Sequence, residues 1–217
     1  MTDKKYTGTI KGKIIELRFS SSGKLENVYK KRGDYVKRGS LIASFEKKQL
    51  QAELDKQLAG FEKVRADFEI YNLQKGEPKD DISKYLKSEK QSALNISVKE
   101  VELAKMKLDQ ADLFSPVEGV IIDDSGLIAG IYITPSSSPV KVLETASYYF
   151  EFEIEQNDYS IYLNPSRVNI VIVGIDKSYP GTTKTQVPSE KGKLIVEVKL
   201  DDLQGLFLGL KGEVNLV

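Results

Sequence analysis

One long segment of helix-forming residues divides a chain that otherwise has the pattern of β-strands. Between about Lys47 and Asp112 the sequence is dominated by Lys, Glu, Gln, Ala and Leu, and Gly and Pro are scarce outside one short cluster. A helix of about 25 residues reaches on the order of 40 Å at 1.5 Å per residue, which exceeds the width of a small β domain. The sequence therefore predicts helices that project from the rest of the fold.

Apolar spacing predicts that this segment forms two helices packed against each other. The first half carries a seam at 4-3 spacing, interrupted by one polar residue: Leu50, Leu54, Gln57, Phe61, Val64, Phe68 and Tyr71. The second half offers a similar seam and, beside it, a second stripe; these residues are Leu94, Val98, Val101 and Leu108, then Ile96 and Leu103. Each helix can therefore cover the apolar face of the other.

The cluster between the two helices predicts the tip of an antiparallel hairpin. Gly76 can supply a positive φ, and Pro78 stops one helix or opens the next. A projecting hairpin usually contacts another protein, so the tip is the predicted partner-contact site. Its predicted contact residues are Leu73, Lys75, Gly76, Pro78, Asp81 and Ile82.

Short strands and turns are predicted on both sides of the helices. Before them, Ile15, Leu17 and Phe19 alternate with charged residues, and glycine turns separate the short apolar runs that follow. After them, a strand-like pattern returns at Leu113, and from Ser147 onward strict alternation of apolar and charged residues predicts a further, all-β unit. The last residues, 212–217, still read as a strand, and we expect the natural chain to continue at both ends.

Composition excludes several classes of function. Cys, His and Trp are absent, which excludes disulfide frameworks, thiolate or imidazole metal sites, and Cys or His nucleophiles. Lys plus Arg and Asp plus Glu each total 32, so a zero net charge argues against nucleic acid as a partner. No catalytic residue, cofactor site or metal site is predicted, and no apolar run is long enough to cross a membrane.

Three acidic pairs need a separate explanation, because adjacent carboxylates can bind hard cations. The pairs are Asp80-Asp81, Asp123-Asp124 and Asp201-Asp202, and none has the spacing of a calcium loop. We expect them to lie in solvated turns. Binding of soft metal ions is also disfavoured, since only two methionines are available as ligands.

Two half-motifs on either side of the helical segment resemble a known domain. The stretch from Gly23 to Leu41, with Gly33-Asp34 and Gly39, resembles the first half of a biotinyl/lipoyl domain. The stretch Ser115-Pro116-Val-Glu-Gly119, directly after the helices, resembles the second half. The residues that carry this resemblance, interpreted as fold-defining turns, are Gly23, Gly33, Asp34, Gly39, Pro116 and Gly119.

A split lipoyl-like domain with a helical hairpin between its halves, followed by a β-barrel, resembles the membrane-fusion proteins, or HlyD-like periplasmic adaptors. The resemblance covers nearly the whole chain. It implies a mainly β, α+β fold with an antiparallel coiled-coil hairpin. The implied domains are an entry strand contributing to the barrel (1–18), the split lipoyl-like sandwich (19–46 and 113–145), the hairpin (47–112) and the barrel (146–217), with a membrane-proximal domain and an anchor missing.

The same resemblance implies a function without chemistry. Such adaptors link an inner-membrane transporter, of ABC or RND type, to an outer-membrane channel for efflux or secretion. The implied location is the periplasm, with an anchor in the inner membrane, and the implied assembly is a ring of identical subunits. The glycine-containing tip around Gly76 is similar to that of adaptors often linked to ABC exporters.

Two other functions stay open at this stage. The chain could be a biotinyl or lipoyl carrier with Lys47 or Lys48 modified, although the roughly 65 residues between the two half-motifs argue against it. It could also be a coiled-coil scaffold unrelated to transport, since the helix pattern alone permits that function.

Overall fold

The computed structural model describes residues 5–162, 164–175, 177–188 and 194–216. In these ranges the chain forms a closed β-barrel, two four-stranded sheets and two long helices. The strands are β1 (Tyr6–Lys11), β2 (Ile14–Leu17), β3 (Gly23–Val28), β4 (Tyr35–Val36), β5 (Leu41–Phe45), β6 (Asp112–Phe114), β7 (Gly119–Asp123), β8 (Tyr132–Ile133), β9 (Val140–Glu144), β10 (Tyr149–Ile154), β11 (Arg167–Ile172), β12 (Ser178–Pro188), β13 (Leu194–Leu200) and β14 (Lys211–Leu216). The helices are α1 (Lys48–Lys75) and α2 (Asp81–Asp109), and two short 3-10 helices occupy Thr145–Ser147 and Gln156–Tyr162.

The barrel closes around an aromatic and aliphatic core. Its strand order is β1-β10-β13-β12-β11-β14, and β1 and β14 pair antiparallel, which closes the sheet. On β10 the predicted alternation holds, because Phe150, Phe152 and Ile154 are buried while Glu153 is exposed. Phe152 also packs edge-on against Tyr162, whose 3-10 helix covers that part of the barrel core. The predicted mixed fold with a β-barrel is confirmed.

Two small sheets, β2-β9-β7-β4 and β6-β5-β3-β8, enclose a second core. Strands from before and after the helices contribute to both sheets, so the two sequence segments form one domain. The stacked rings of Phe19 and Phe45, with centroids 4.0 Å apart, lie in this core. The sequence prediction placed residues 1–18 in the barrel, whereas the structure divides them: β1 lies in the barrel, and β2 pairs with β9 of the sandwich. The break between them is at Gly12-Lys13, where the chain leaves one sheet for the other.

The glycines of the lipoyl-like motif have two different roles. Gly33 and Gly39 have φ angles of 94° and 81°, so they occupy turns that favour glycine, as predicted. Asp34 lies in the same turn, where its carboxylate accepts a hydrogen bond from the Lys31 amide at 2.8 Å. Gly23 and Gly119 differ from the prediction, because each is the first residue of a strand. A Cβ at Gly23 would overlap the Phe45 ring, and a Cβ at Gly119 would overlap the Leu143 backbone, so both positions require glycine.

The two helices pack antiparallel, with Tyr71 meeting Ser83 near the tip and Glu53 lying beside Glu100 nearer the base. Every predicted seam residue of α1 is partly buried, whereas most residues on either side of the seam are exposed. The seam of α2 differs from the prediction, because its only fully buried residues are the small Ser97 and Ala104. Small side chains let two helices approach closely, and the Ser97 hydroxyl donates to the Leu94 carbonyl oxygen at 2.8 Å. Within the described ranges, neither helix is long and apolar enough to span a membrane.

Two glycine substitutions test this account of the fold. Gly119→Ala is expected to lower the melting temperature strongly, because its Cβ would overlap the carbonyl oxygen of Leu143 on β9. Gly60→Ala, on α1, meets no other described atom within 4 Å and should stabilise the chain by about 0.5–1 kcal/mol. Thermal unfolding followed by circular dichroism measures both changes. Equal melting temperatures for the two variants would contradict the close packing assigned to Gly119.

Candidate partner-contact site at the hairpin tip

Helix α1 ends in a backbone conformation that only glycine adopts readily. Gly76 has φ 61° and ψ −147°, and its amide donates to the Asn72 carbonyl oxygen at 3.0 Å. The Tyr71 hydroxyl, one helical turn earlier, donates across the hairpin to the Ser83 carbonyl oxygen at 3.2 Å. The first hydrogen bond caps the end of α1, and the second joins α1 to the beginning of α2.

Helix α2 begins with a reciprocal cap. The Asp80 carboxylate accepts from the Ser83 amide at 2.7 Å, and the Ser83 hydroxyl oxygen accepts from the Asp80 amide at 3.2 Å. The Lys79 amide also donates to the same hydroxyl at 3.1 Å. Hydrogen bonds from Ser83 hold the pKa of Asp80 below its usual value, because they stabilise the charged carboxylate. The tip is thus an ordered turn, in which hydrogen bonds fix the backbone that carries the exposed side chains.

Large apolar side chains are exposed on both sides of this turn. Leu73, at the end of α1, has 86% of its surface exposed, and Ile82 and Tyr85, at the start of α2, have 74% and 76% exposed. Single exposed apolar residues are common on protein surfaces, and these three lie near the same end of the hairpin. Their exposure makes the tip suited to apolar contact with another protein.

Charged groups surround these apolar side chains. Lys84 pairs with Asp81 at 2.9 Å, and Lys87 pairs with Glu77 at 3.4 Å across the turn. These pairs are exposed, so each contributes little to stability and can exchange partners on contact with another protein. Across the described ranges, no three acidic side chains are grouped so that they could hold a metal ion.

The structure places all six predicted contact residues within this turn and the adjoining helix ends. Leu73, Lys75, Gly76, Asp81 and Ile82 are exposed, and Pro78 is half-buried. Sequence reasoning missed Tyr85 and the cap formed by Asp80 and Ser83. The cap has a recognisable signal, since Asp-x-x-Ser precedes the helical run. Tyr85 was missed because nothing in its local pattern distinguishes an outward-facing tyrosine from one in the helix seam.

The other two acidic pairs lie in turns. Asp123 accepts from the Ser125 amide at 2.9 Å, and Asp124 accepts from the Gly126 and Arg32 amides at 3.1 Å and 3.2 Å. These backbone donors lower the pKa of Asp124, with the Arg32 amide as the largest cause. Two further carboxylates, Asp201 and Asp202, form ion pairs with Arg167 and Lys177. The carboxylates of all three pairs therefore have protein partners in or beside turns.

The base of the hairpin is held by one partly buried ion pair. The Lys47 ammonium, immediately before α1, lies 2.6 Å from a carboxylate oxygen of Asp112, the first residue of β6. The Phe45 amide also donates to the Ala111 carbonyl oxygen at 2.8 Å, so the incoming and outgoing strands are joined where the hairpin leaves the sandwich. A cavity of about 650 Å³ lies beside this junction, between the helix bases and the sandwich.

Comparison with known proteins gives matches only at the level of structure. No protein-family model and no curated protein matches the sequence. A MacA–MexA chimera containing the Pseudomonas aeruginosa MexA α-hairpin domain matches at a TM-score of 0.81 and 19% identity, over 99% of this chain and 81% of the chimera. The membrane fusion protein Spr0693 from Streptococcus pneumoniae matches at a TM-score of 0.79 and 15% identity, over 99% and 98% of the two chains.

A third structure extends the same similarity. The periplasmic adaptor protein EmrA matches at a TM-score of 0.54 and 17% identity, over 98% of this chain and 99% of that protein. The chain therefore has the fold of membrane fusion proteins and periplasmic adaptors. The resemblance predicted from the two half-motifs and the helical insertion is confirmed at the level of the fold.

The cap at the tip predicts a response to pH. Folding lowers the pKa of Asp80, so the ionised Asp80 carboxylate stabilises the folded state. This stabilisation is fully present above the ordinary carboxyl pKa of 3.8, and it is lost as the pH falls through the lower pKa of the folded state. Asp80→Ala should remove this effect at every pH. At pH 7, hydrogen exchange at the amides of residues 82–85 is expected to be faster in Asp80→Ala than in the original chain. At a pH low enough to protonate the Asp80 carboxyl fully, the two chains should exchange at similar rates. Asp81→Ala is the matched control; an equal increase for that variant would contradict the cap.

Proposed function

We propose that this chain is a periplasmic adaptor that links an inner-membrane exporter to an outer-membrane channel for efflux or secretion, with no chemistry of its own. The observation that carries the proposal is the position of the hairpin, inserted between the two halves of one β sandwich with an exposed tip. The similarity to membrane fusion proteins over nearly the whole chain supports it. Each part of the fold then has a mechanical role.

In this proposal the barrel lies on the exporter side, the sandwiches of neighbouring copies pack side by side, and the hairpin reaches toward the channel. A helix of 28 residues is about 42 Å long at 1.5 Å per residue, which is long enough to carry the tip well away from the sandwich. The two helices pack as an antiparallel coiled coil, and their tip contacts the channel through Leu73, Ile82 and Tyr85. The exporter, of ABC or RND type, supplies the energy for transport.

The proposed location is the periplasm, with the full-length protein anchored to the inner membrane. Identical subunits assemble side by side into a ring around the transport route. A chain with 32 positive and 32 negative residues suits such an assembly, because neighbouring copies can match opposite charges without strong overall repulsion.

A carrier function is less well supported by the geometry. Lys47 forms an ion pair with Asp112 at 2.6 Å, and Lys48 is the first residue of α1. A modified lysine has to be presented to an enzyme at a tight turn; Lys47 is held in an ion pair, and Lys48, although exposed, lies in the first turn of a helix. Acylation found by intact-mass spectrometry after expression with a ligase and its cofactor would revive this alternative. A scaffold unrelated to transport remains the other alternative, and a neighbouring permease gene would argue against it.

Crosslinking from the tip tests the proposal. The chain has no Cys, so Lys75→Cys and Lys79→Cys each provide a single thiol, and Lys13→Cys, far along the chain from the hairpin, provides a control. The anchored full-length variants are expressed with the neighbouring transporter genes and treated with a thiol crosslinker. We expect the two tip thiols, and not the control, to capture an outer-membrane channel. Assembly on the exporter without any channel captured from the tip would contradict the bridging function.

A further inference from the structure

The cavity at the base of the hairpin, here called the base cleft, has walls from three parts of the fold. The sandwich contributes residues of β3, β5 and β8, and the first turn of α1 and the end of α2 form the rest of the wall. Its volume of about 650 Å³ lies within the range of about 300–1,000 Å³ that is typical of small-molecule pockets. Such pockets occur preferentially at junctions between structural units, which is where the base cleft lies.

The base cleft offers an apolar surface. Phe45 is buried in the sandwich core, and Leu50 of α1 packs against the same core. Tyr132, the first residue of β8, is 68% exposed, so its ring lies at the rim of the cleft. These side chains can therefore contact the apolar body of a bound molecule.

Charged side chains also line the cleft, and cations are in excess. Lys24 is the cross-strand neighbour of Tyr132, and the Glu46 amide donates to the Lys24 carbonyl oxygen at 2.9 Å. On the sheet, Lys24 thus lies between Tyr132 and Glu46. Lys107 belongs to the last turn of α2, so the two lysines come to the cleft from different parts of the fold. The lining contains two ammonium groups and one carboxylate.

The charges that surround the lining do not cancel this excess. Within two residues of the lining positions, the sequence has three cations and three anions, which are Lys47, Lys48 and Lys105, and Glu26, Asp109 and Asp112. Lys47 and Asp112 already pair with each other. Across the described ranges, the three charged side chains of the lining form no hydrogen bond or ion pair with the rest of the chain. They are therefore available to a ligand.

Uncharged polar groups complete the lining. The side-chain amides of Gln49 and Gln110 and the hydroxyls of Ser21 and Ser22 border the same space. Sites for small molecules combine an apolar surface with a few convergent polar groups, and the base cleft has this combination. Its excess of ammonium groups favours a ligand with a negative charge.

We propose that the base cleft binds a small amphipathic molecule with a flat apolar body and one negatively charged group. The apolar body contacts Leu50 and Tyr132, and the charged group lies between Lys24 and Lys107. Because the cleft has walls from the sandwich and from both helices, the bound molecule contacts the sandwich and the hairpin base together. The inference goes beyond the adaptor function and does not depend on it, since every lining residue belongs to this chain.

Two fluorescent probes that share an aromatic body test the charge contact in the purified full chain. Anilinonaphthalene sulfonate is negatively charged, and phenylnaphthylamine is its neutral counterpart. Affinity for the sulfonate should fall about threefold in Lys24→Gln and in Lys107→Gln and rise about threefold in Glu46→Gln. The neutral probe should respond to none of these changes. Lys63→Gln, which replaces an exposed lysine of α1 outside the cleft, is the control.

Fluorescence titration measures these affinities. No saturable binding of the sulfonate to the original chain would overturn the inference. Equal responses of the two probes to the lysine variants, or an effect of Lys63→Gln as large as that of Lys107→Gln, would also overturn it.

Removal of a tyrosine ring tests the apolar contact. Tyr132→Ala should weaken the binding of both probes, and Tyr85→Ala, which removes a comparably exposed ring at the hairpin tip, is the matched control. Because both rings are largely exposed, neither change should alter the melting temperature measured by circular dichroism. Weaker binding in Tyr85→Ala but not in Tyr132→Ala would place the probes at the tip and contradict the proposed site.

Sedimentation velocity on the same variants distinguishes a ligand from a second copy of the chain as the occupant of the cleft. We expect Tyr132→Ala to leave self-association unchanged. Loss of self-association in Tyr132→Ala, with probe binding unchanged, would show that a second copy occupies the cleft, and the inference would then be wrong.

Discussion

The fold depends on the pairing of β5 with β6 across the base of the hairpin. These strands are separated in sequence by both helices, yet the Phe45 amide donates to the Ala111 carbonyl oxygen at 2.8 Å, and the Lys47–Asp112 ion pair lies directly beside it. The pairing completes a sandwich whose two halves could not bury their apolar faces separately. It also fixes the direction in which α1 and α2 leave the domain. The position of the tip is thus set by hydrogen bonds formed at the opposite end of the hairpin.

Much of this architecture could be predicted from the sequence because large side chains and glycines mark it. The seam of α1 was predicted correctly, since Phe61, Val64 and Phe68 are unambiguous apolar positions. The seam of α2 was not fully predicted. Its buried residues, Ser97 and Ala104, fit there because they are small, and a hydrophobic pattern does not identify such positions. Gly119 was interpreted as a turn, although it allows close approach of two backbones, a requirement that becomes visible only when β7 and β9 are paired.

At the tip, the sequence predicted the location and missed the mechanism that orders it. Gly76 and Pro78 indicated a turn, and the predicted contact residues lie there. The reciprocal hydrogen bonds of Asp80 and Ser83, and the outward position of Tyr85, depend on where α2 begins, and its first residue could not be fixed from composition alone.

In the proposed function, the β units attach the chain to the exporter and the hairpin alone reaches the channel. The most direct test replaces residues 48–109 with a short glycine turn, since the strands on either side are already joined at the hairpin base. We predict that the shortened full-length protein keeps its β-sheet signal by circular dichroism, still copurifies with the exporter and no longer captures the channel. Continued capture of the channel without the hairpin would contradict the account.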